Sequence, residues 1–238
     1  MTVSCTKSDP ESYESIAARV RACRICRDDP GTRRALPHEP RPIFQGSGQA
    51  RLLIASQAPG NRAHQSGIPF QDPSGIRLRA WLGLDEPTFY DDRRVAIIPM
   101  GFCFPGYDAN GGDLPPRPEC APVWRRAVLD TLPRLELILP IGLHSQGWHL
   151  GRGASLTDTV RRWQEILDGS GRPRILPLPH PSWRNTSWLK KHPWFEQDLL
   201  PVLRREVGAL VGEAPVTSGE RPPLAPGHVL DELPGRPA

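Results

Sequence analysis

The sequence predicts an α/β fold in three layers, a four-stranded parallel sheet flanked by helices. Two observations carry that expectation. Four short apolar runs, at residues 52–55, 95–99, 135–141 and 174–178, lack the polar alternation of a half-exposed strand and read as strands buried on both faces. Stretches with helical apolar spacing separate them, and strands that alternate with helices pack as a parallel sheet joined by right-handed crossovers. A chain of 238 residues buries a full core as one domain, here expected over residues 1–212.

Taken in order, residues 11–26 place Tyr13, Ile16, Ala17 and Val20 at helical spacing and lead into a Cys-x-x-Cys turn. Residues 28–42 hold Pro30, Pro37, Pro40 and Pro42 with little to bury, and read as extended surface chain. The first strand, 52–55, breaks into a polar loop, and a short helix over 76–84 is ended by Gly83. After the second strand comes an irregular segment, 100–120, with Gly106, Gly111, Gly112, Pro115, Pro116 and Pro118. A loop that long inside a compact domain is functional or tied down by something else. A helix is expected over 122–132, with Pro122 suited to a first turn. The third strand is followed by helical stretches at 143–150 and 155–167, and the fourth runs into the loop His180-Pro-Ser-Trp-Arg-Asn-Thr. A last helix is expected over 193–210. Residues 213–238 hold six prolines without periodicity and read as a disordered tail.

The net charge of +4 is almost all arginine, since the lysines are Lys7, Lys190 and Lys191. Arginine forks suit phosphate, so the balance is a mild nucleic-acid signal. No apolar run is long enough to span a bilayer and the N-terminus is polar, so a cytoplasmic protein is expected. Five cysteines in such a chain argue against a disulfide framework and for a metal site or plain thiols.

Ligands of open α/β sheets bind where strands end, which singles out Ser56 and, above all, Gln57. Phe70, Gln71 and Asp72 then supply a flat ring, an amide and an acid, a combination suited to a planar polar ligand such as a base. Cys23 and Cys26 form a close pair, and Cys103 and Cys120 bracket the long loop; four such thiolates hold zinc or an iron–sulfur cluster, with Cys5 left over. The alternative is that Cys103 is a core thiol and the pair incidental. His180 sits between Pro179 and Pro181 at a strand end, where it either donates to a leaving group or caps the strand. Ser182 could orient a phosphate. Trp183, Arg184, Asn185, Trp188, Lys190 and Lys191 interleave charge with aromatic rings, as phosphate contacts and a base-stack wedge require, although a solvated surface loop has the same composition.

These residues resemble the uracil-DNA glycosylase superfamily, specifically its bacterial and archaeal iron–sulfur branches. The similarity covers residues 20–205 and rests on Cys-x-x-Cys, Ser56-Gln-Ala-Pro-Gly60, Gly67-Ile-Pro-Phe70, the cysteines around the long loop and His180-Pro-Ser182. It implies a [4Fe-4S] cluster on Cys23, Cys26, Cys103 and Cys120, and excision of uracil flipped out of DNA, leaving an abasic site, by a nucleoid-associated monomer. It assigns His180, Asp72 and Gln57 to catalysis, and Phe70, Gln71, Ser56, Ala58 and Gly60 to the base. Ser182, Arg184, Asn185, Lys190 and Lys191 are assigned to DNA. Where the uracil-specific iron–sulfur enzymes carry glutamate, asparagine and, in the best-known uracil enzymes, aspartate, this chain has Gln57, Pro99 and Ala58. The run Phe70-Gln-Asp-Pro-Ser-Gly75 is closer to the broader-specificity branch, so hypoxanthine or xanthine excision, or uracil or abasic-site binding with little turnover, are the alternatives.

Overall fold

Three of the four apolar runs contain strands buried along their whole length, Leu52–Ala55 (β1), Val95–Ile97 (β2) and Leu137–Pro140 (β3), whereas the fourth contributes only Arg174–Ile175 (β4), which is half-buried rather than buried on both faces as expected. The computed structural model describes residues 11–212; the tail expectation for 213–238, Cys5 and Lys7 fall outside them. All pairings are parallel and the order is β2-β1-β3-β4. Leu52 stands opposite Val95 on one side and Leu137 on the other. Pairing of the fourth run continues past β4, with Leu178 bridged to Ile141. The outer edge of β2 is closed by Gln45, which exchanges two backbone bonds with Ile97, so the sheet does not end in unpaired groups there.

Strand side chains alternate between two separate cores, which is what makes three layers. Leu52, Ile54, Val95, Ile97, Leu137 and Leu139 share one core with the helices Pro73–Leu82 (α4), Glu86–Tyr90 (α5), Leu156–Arg161 (α8), Trp163–Gly169 (α9) and Leu200–Val211 (α11). Leu53, Ala55, Ala96, Ile98 and Ile138 share the other with Tyr13–Arg21 (α1) and Arg126–Asp130 (α6). The predicted first helix is split, because the chain turns at Ala22 before a single turn, Ile25–Asp28 (α2). The expected helix after Cys120 begins as a π-helical turn, Ala121–Arg125, with Pro122 in it. Asn61–Ser66 (α3) and Thr186–Lys191 (α10) were expected as loop and are helical. No helix among the described residues is long and apolar enough to cross a membrane.

From β1 the chain moves outward to β2, then returns across β1 to β3. The strand order therefore reverses between β1 and β3, and a crevice opens beyond their carboxyl ends.

The turn entering α4 shows how tightly this region is built. Phe70 holds a left-handed backbone (φ 56°), uncommon for a bulky residue, and Asp72 caps the helix by accepting from the Gly75 N–H at 2.8 Å. A Cβ on Gly75 would stand 1.7 Å from the Phe70 carbonyl oxygen, so only glycine lets that carbonyl fold back. Gly75→Ala is expected to lower stability by about 1–3 kcal/mol, the usual cost of overpacking, in urea titration of parent and variant; equal midpoints would show that the turn yields.

Candidate active site

A cavity of about 540 Å³ opens at the carboxyl ends of β1 and β3. One wall is the Ser56–Gly60 loop, another the Phe70–Ser74 turn, a third the His180 loop with Ser182, Arg184 and Asn185, and the fourth Asp113 to Pro116 from the long segment. Four stretches, the first and last more than 100 residues apart in sequence, therefore face one space.

The first wall is pinned from behind. The carbonyls of Ser56 and Gln57 accept from the N–H groups of Met100 and Gly101 at 2.9 and 2.8 Å, which ties the loop to the chain leaving β2. Gln57 packs its amide on Gly142, the first residue of the helix Gly142–Leu150 (α7), where φ is 77° and a Cβ would meet the Gln57 amide at 2.9 Å. Gly142 is glycine for both reasons, sign of φ and closeness of approach. Pro99 also lines the cavity, and His144 reaches it from α7.

His180 is the most constrained side chain. Its carbonyl accepts from Asn185 Nδ2 at 2.7 Å, and the Ser182 N–H donates to its Nδ1 at 3.3 Å. Arg77 donates to the Ser182 carbonyl at 3.0 Å, and Gln146 donates to the Leu178 carbonyl at 2.9 Å, so the loop is held from two helices. With Nδ1 an acceptor, the neutral ring carries its proton on Nε2. Burial lowers its pKa, Asp72 opposing in part, which keeps the ring neutral. The result is a fixed, uncharged N–H donor.

Phe70 is almost fully buried and meets Phe89 edge to face, with ring centroids 6.2 Å apart, while still contributing to the cavity wall. Gln71, expected to read the base, is exposed and is not part of the wall; the left-handed Phe70 and the helix start at Pro73 turn it outward. Lys190 and Lys191 lie exposed in the last turn of α10 and are likewise not on the wall. Trp183, 74% exposed, stands at the rim with Arg184 5.8 Å from its ring.

Asp113 was not anticipated. Its carboxyl lies over the Ser56–Gly60 loop, with Oδ2 3.4 Å from where a Cβ on Gly60 would be. Burial raises its pKa, Arg184 opposes, and Asp72 and Asp108 add to the rise. Only the length of the surrounding loop hinted at it, since nothing local distinguishes Asp113 from Asp108.

The four cysteines Cys23, Cys26, Cys103 and Cys120 are free and line one small, largely apolar cavity on the far side of the second core. Trp124 Nε1 donates to Cys23 Sγ at 3.1 Å and the Phe102 N–H to Cys120 Sγ at 3.3 Å, contacts that suit thiolate sulfur. Burial pushes Cys103 and Cys120 up to about 12 as free thiols. As the side chains stand, the described residues form no group of three or more His, Cys, Asp or Glu able to hold a metal ion. The chemistry of the donor set nonetheless fits a thiolate-bound centre, with four sulfurs on one cavity and backbone and indole N–H groups turned to two of them.

One turn beyond Cys120, Arg125 is fully buried, and no carboxylate among the described residues pairs with it. It donates to the carbonyls of Ile98 and Pro99 at 2.8 and 2.9 Å and contacts His149 Nε2 at 2.8 Å. Burial, and then the neighbouring guanidinium, press His149 down to about 3.

A crevice that presents a neutral N–H donor, a flat ring and two carboxyl groups suits hydrolysis in which a planar anion departs. The chain belongs to the uracil DNA glycosylase superfamily, whose family model matches residues 43–204. It is therefore a DNA glycosylase in class, with DNA as its polymer, and the first cysteine pair lies ahead of the match.

His149 binds a proton near pH 6.5 when unfolded and only near pH 3 when folded, so its contribution is full above 6.5 and is lost as pH falls. Stability is expected to drop by about 2 kcal/mol between pH 7 and pH 5 from this group. Thermal melts of parent and His149→Gln at both values check it; an equally steep fall in the variant would assign the loss elsewhere.

Proposed function

We propose that this protein flips uracil out of DNA and hydrolyses its N-glycosidic bond, leaving an abasic site. A base inside the stack cannot be attacked, and a mispaired base costs least to extrude. Bond breaking leaves positive charge on the sugar and negative charge on the base. Catalysis therefore consists of stabilising both. His180 Nε2 donates to the departing base without carrying charge, and the N–H groups of the Ser56–Gly60 loop assist. Phe70 stacks on the base, Gln57 contacts its edge, and Asp72 faces the sugar cation and the incoming water. Arg184, Ser182 and Asn185 hold the backbone phosphates at the rim, with Lys190 and Lys191 farther along the same surface, and Trp183 fills the gap left in the stack. The observation that carries this reading is the Ser182 N–H bond that commits His180 Nδ1 as acceptor.

A second reading, broader excision that includes hypoxanthine and xanthine, is favoured by the exposed Gln71 and by Pro99 on the wall, which leave few side chains to read a base edge. Incubation with uracil, hypoxanthine and xanthine oligonucleotides followed by alkali cleavage separates the two, and binding with no cleavage of any of the three would leave only recognition. Under single turnover, His180→Ala is expected to cut cleavage by about 10²–10³ with binding retained, the usual loss for an oxyanion donor. A 5-halogenated uracil, a better leaving group, is expected to restore part of that loss. An unchanged rate would refute the role.

We further propose that Cys23, Cys26, Cys103 and Cys120 hold a [4Fe-4S] cluster, zinc being the alternative for the same thiolates. When bound, it would supply a cross-link between the N-terminal segment and the long loop, with no part in bond breaking. Purified protein is expected to absorb in the visible and to contain iron, and Cys23→Ser to lose both and melt earlier. Stoichiometric zinc in colourless protein would replace the cluster while keeping the site.

A further inference from the structure

We propose that Asp113 is a second catalytic carboxylate, the group that takes the proton of the attacking water. This rests on the reading of the cavity as a glycosylase site.

Two carboxyl groups line the cavity from different walls, and their surroundings differ. Asp72 is committed, since its Oδ1 caps α4 through the Gly75 N–H. Asp113 has no hydrogen bond or ion pair through its side chain among the described residues, so both oxygens are free to face water. Its backbone is nevertheless rigidly placed. Asp113 bridges to Tyr107 across a tight turn in which Asp108 Oδ1 accepts from the N–H groups of Asn110 and Gly112 at 2.8 Å each, and the Leu114 N–H donates to the Gly106 carbonyl at 2.9 Å. Gly60 leaves the space its carboxyl occupies.

The charges around it are those a base needs. Arg184 reaches it from the His180 loop, Asp72 from the start of α4, and Asp108 from its own turn, while His144 and His180 share the cavity. Asp113 is an exposed residue whose carboxyl is only partly desolvated at the cavity wall. That partial desolvation, with two acids nearby and one cation opposing, raises its proton affinity above that of an ordinary aspartate, which brings a general base closer to working pH. Paired carboxyl groups with divided roles are also the general solution for hydrolysis at a sugar carbon.

The C1′–N bond breaks and its electron pair leaves with the base, held at His180 Nε2. Water oxygen bonds to C1′, and one water proton passes to the Asp113 carboxylate. Asp72 stays beside the positive sugar. The proton on Asp113 then returns to solvent, and the base anion takes one up on release.

The test is single-turnover cleavage of uracil-, hypoxanthine- and xanthine-containing duplexes from pH 5 to 9 by the parent, Asp113→Asn and Asp72→Asn, with binding to a duplex carrying an abasic analogue measured alongside. Because the ionised form works, the parent rate should fall as pH drops through the raised pKa. Asp113→Asn should lower the plateau about 10²-fold, lose that acid limb and bind normally, whereas Asp72→Asn should be slower with the limb retained. Sodium formate should raise the rate of Asp113→Ala. Asp113→Asn at the parent rate with the limb intact overturns the proposal, as does an equal loss at every pH with no formate rescue, the pattern of a merely structural residue. A parent that cleaves none of the three duplexes overturns the glycosylase reading itself, and this with it.

Discussion

Strand β1 is hydrogen-bonded on both sides and buried on both faces, and the rest of the molecule follows from that constraint. A strand with no free edge cannot tolerate a shift of register, because a slip of one residue would exchange Leu52 and Ile54 with Leu53 and Ala55 between two differently packed cores. The chain that leaves it must turn out of the sheet at Ser56, and the chain that leaves β3 on its other flank must turn at Ile141. The two departures make the crevice. Gln57 against the backbone of Gly142 is the contact that closes its floor.

Within that crevice the chemistry is arranged by withholding charge as much as by supplying it. His180 is kept neutral by burial, and Asp113, though exposed at the cavity wall, is pushed toward its protonated form by partial desolvation and by two other acids. Arg184 is the cation closest to this balance, and it stands where a phosphate would reach the rim. Under the proposed function, DNA would draw on the same guanidinium that moderates Asp113, which would link substrate contact and carboxyl basicity through one side chain.

Arg125 ties the second core to the site. Its guanidinium holds the carbonyls of Ile98 and Pro99, where the chain leaves β2 for the long loop, and it lies within the field of Cys120. A buried cation without a carboxylate is costly unless negative charge is near. A thiolate-bound centre on the four cysteines would supply it, which gives the proposed cluster an electrostatic as well as a mechanical place in the fold.

The four strands, the helix ended by Gly83, and the placement of Gln57, Phe70, Asp72 and His180 in the loops that line the cavity were legible from the sequence, because apolar runs, glycine stops and strand-end polar residues are local signals. The spacing of cysteines 23, 26, 103 and 120 suggests a shared site but leaves Cys103 open as a core thiol, and it is the fold that brings all four to one cavity. What the sequence could not determine was set by contacts between distant segments. Gln71 turns outward because Phe70 adopts a left-handed backbone that Gly75 makes room for. Residues 186–191 form a helix although their charges and rings read as loop, and Trp188 packs beside Phe195 in the first core. Asp113 faces the cavity only because a turn closed by Asp108 and Gly106 carries it across to Gly60, a placement set by long-range packing with no periodicity to announce it.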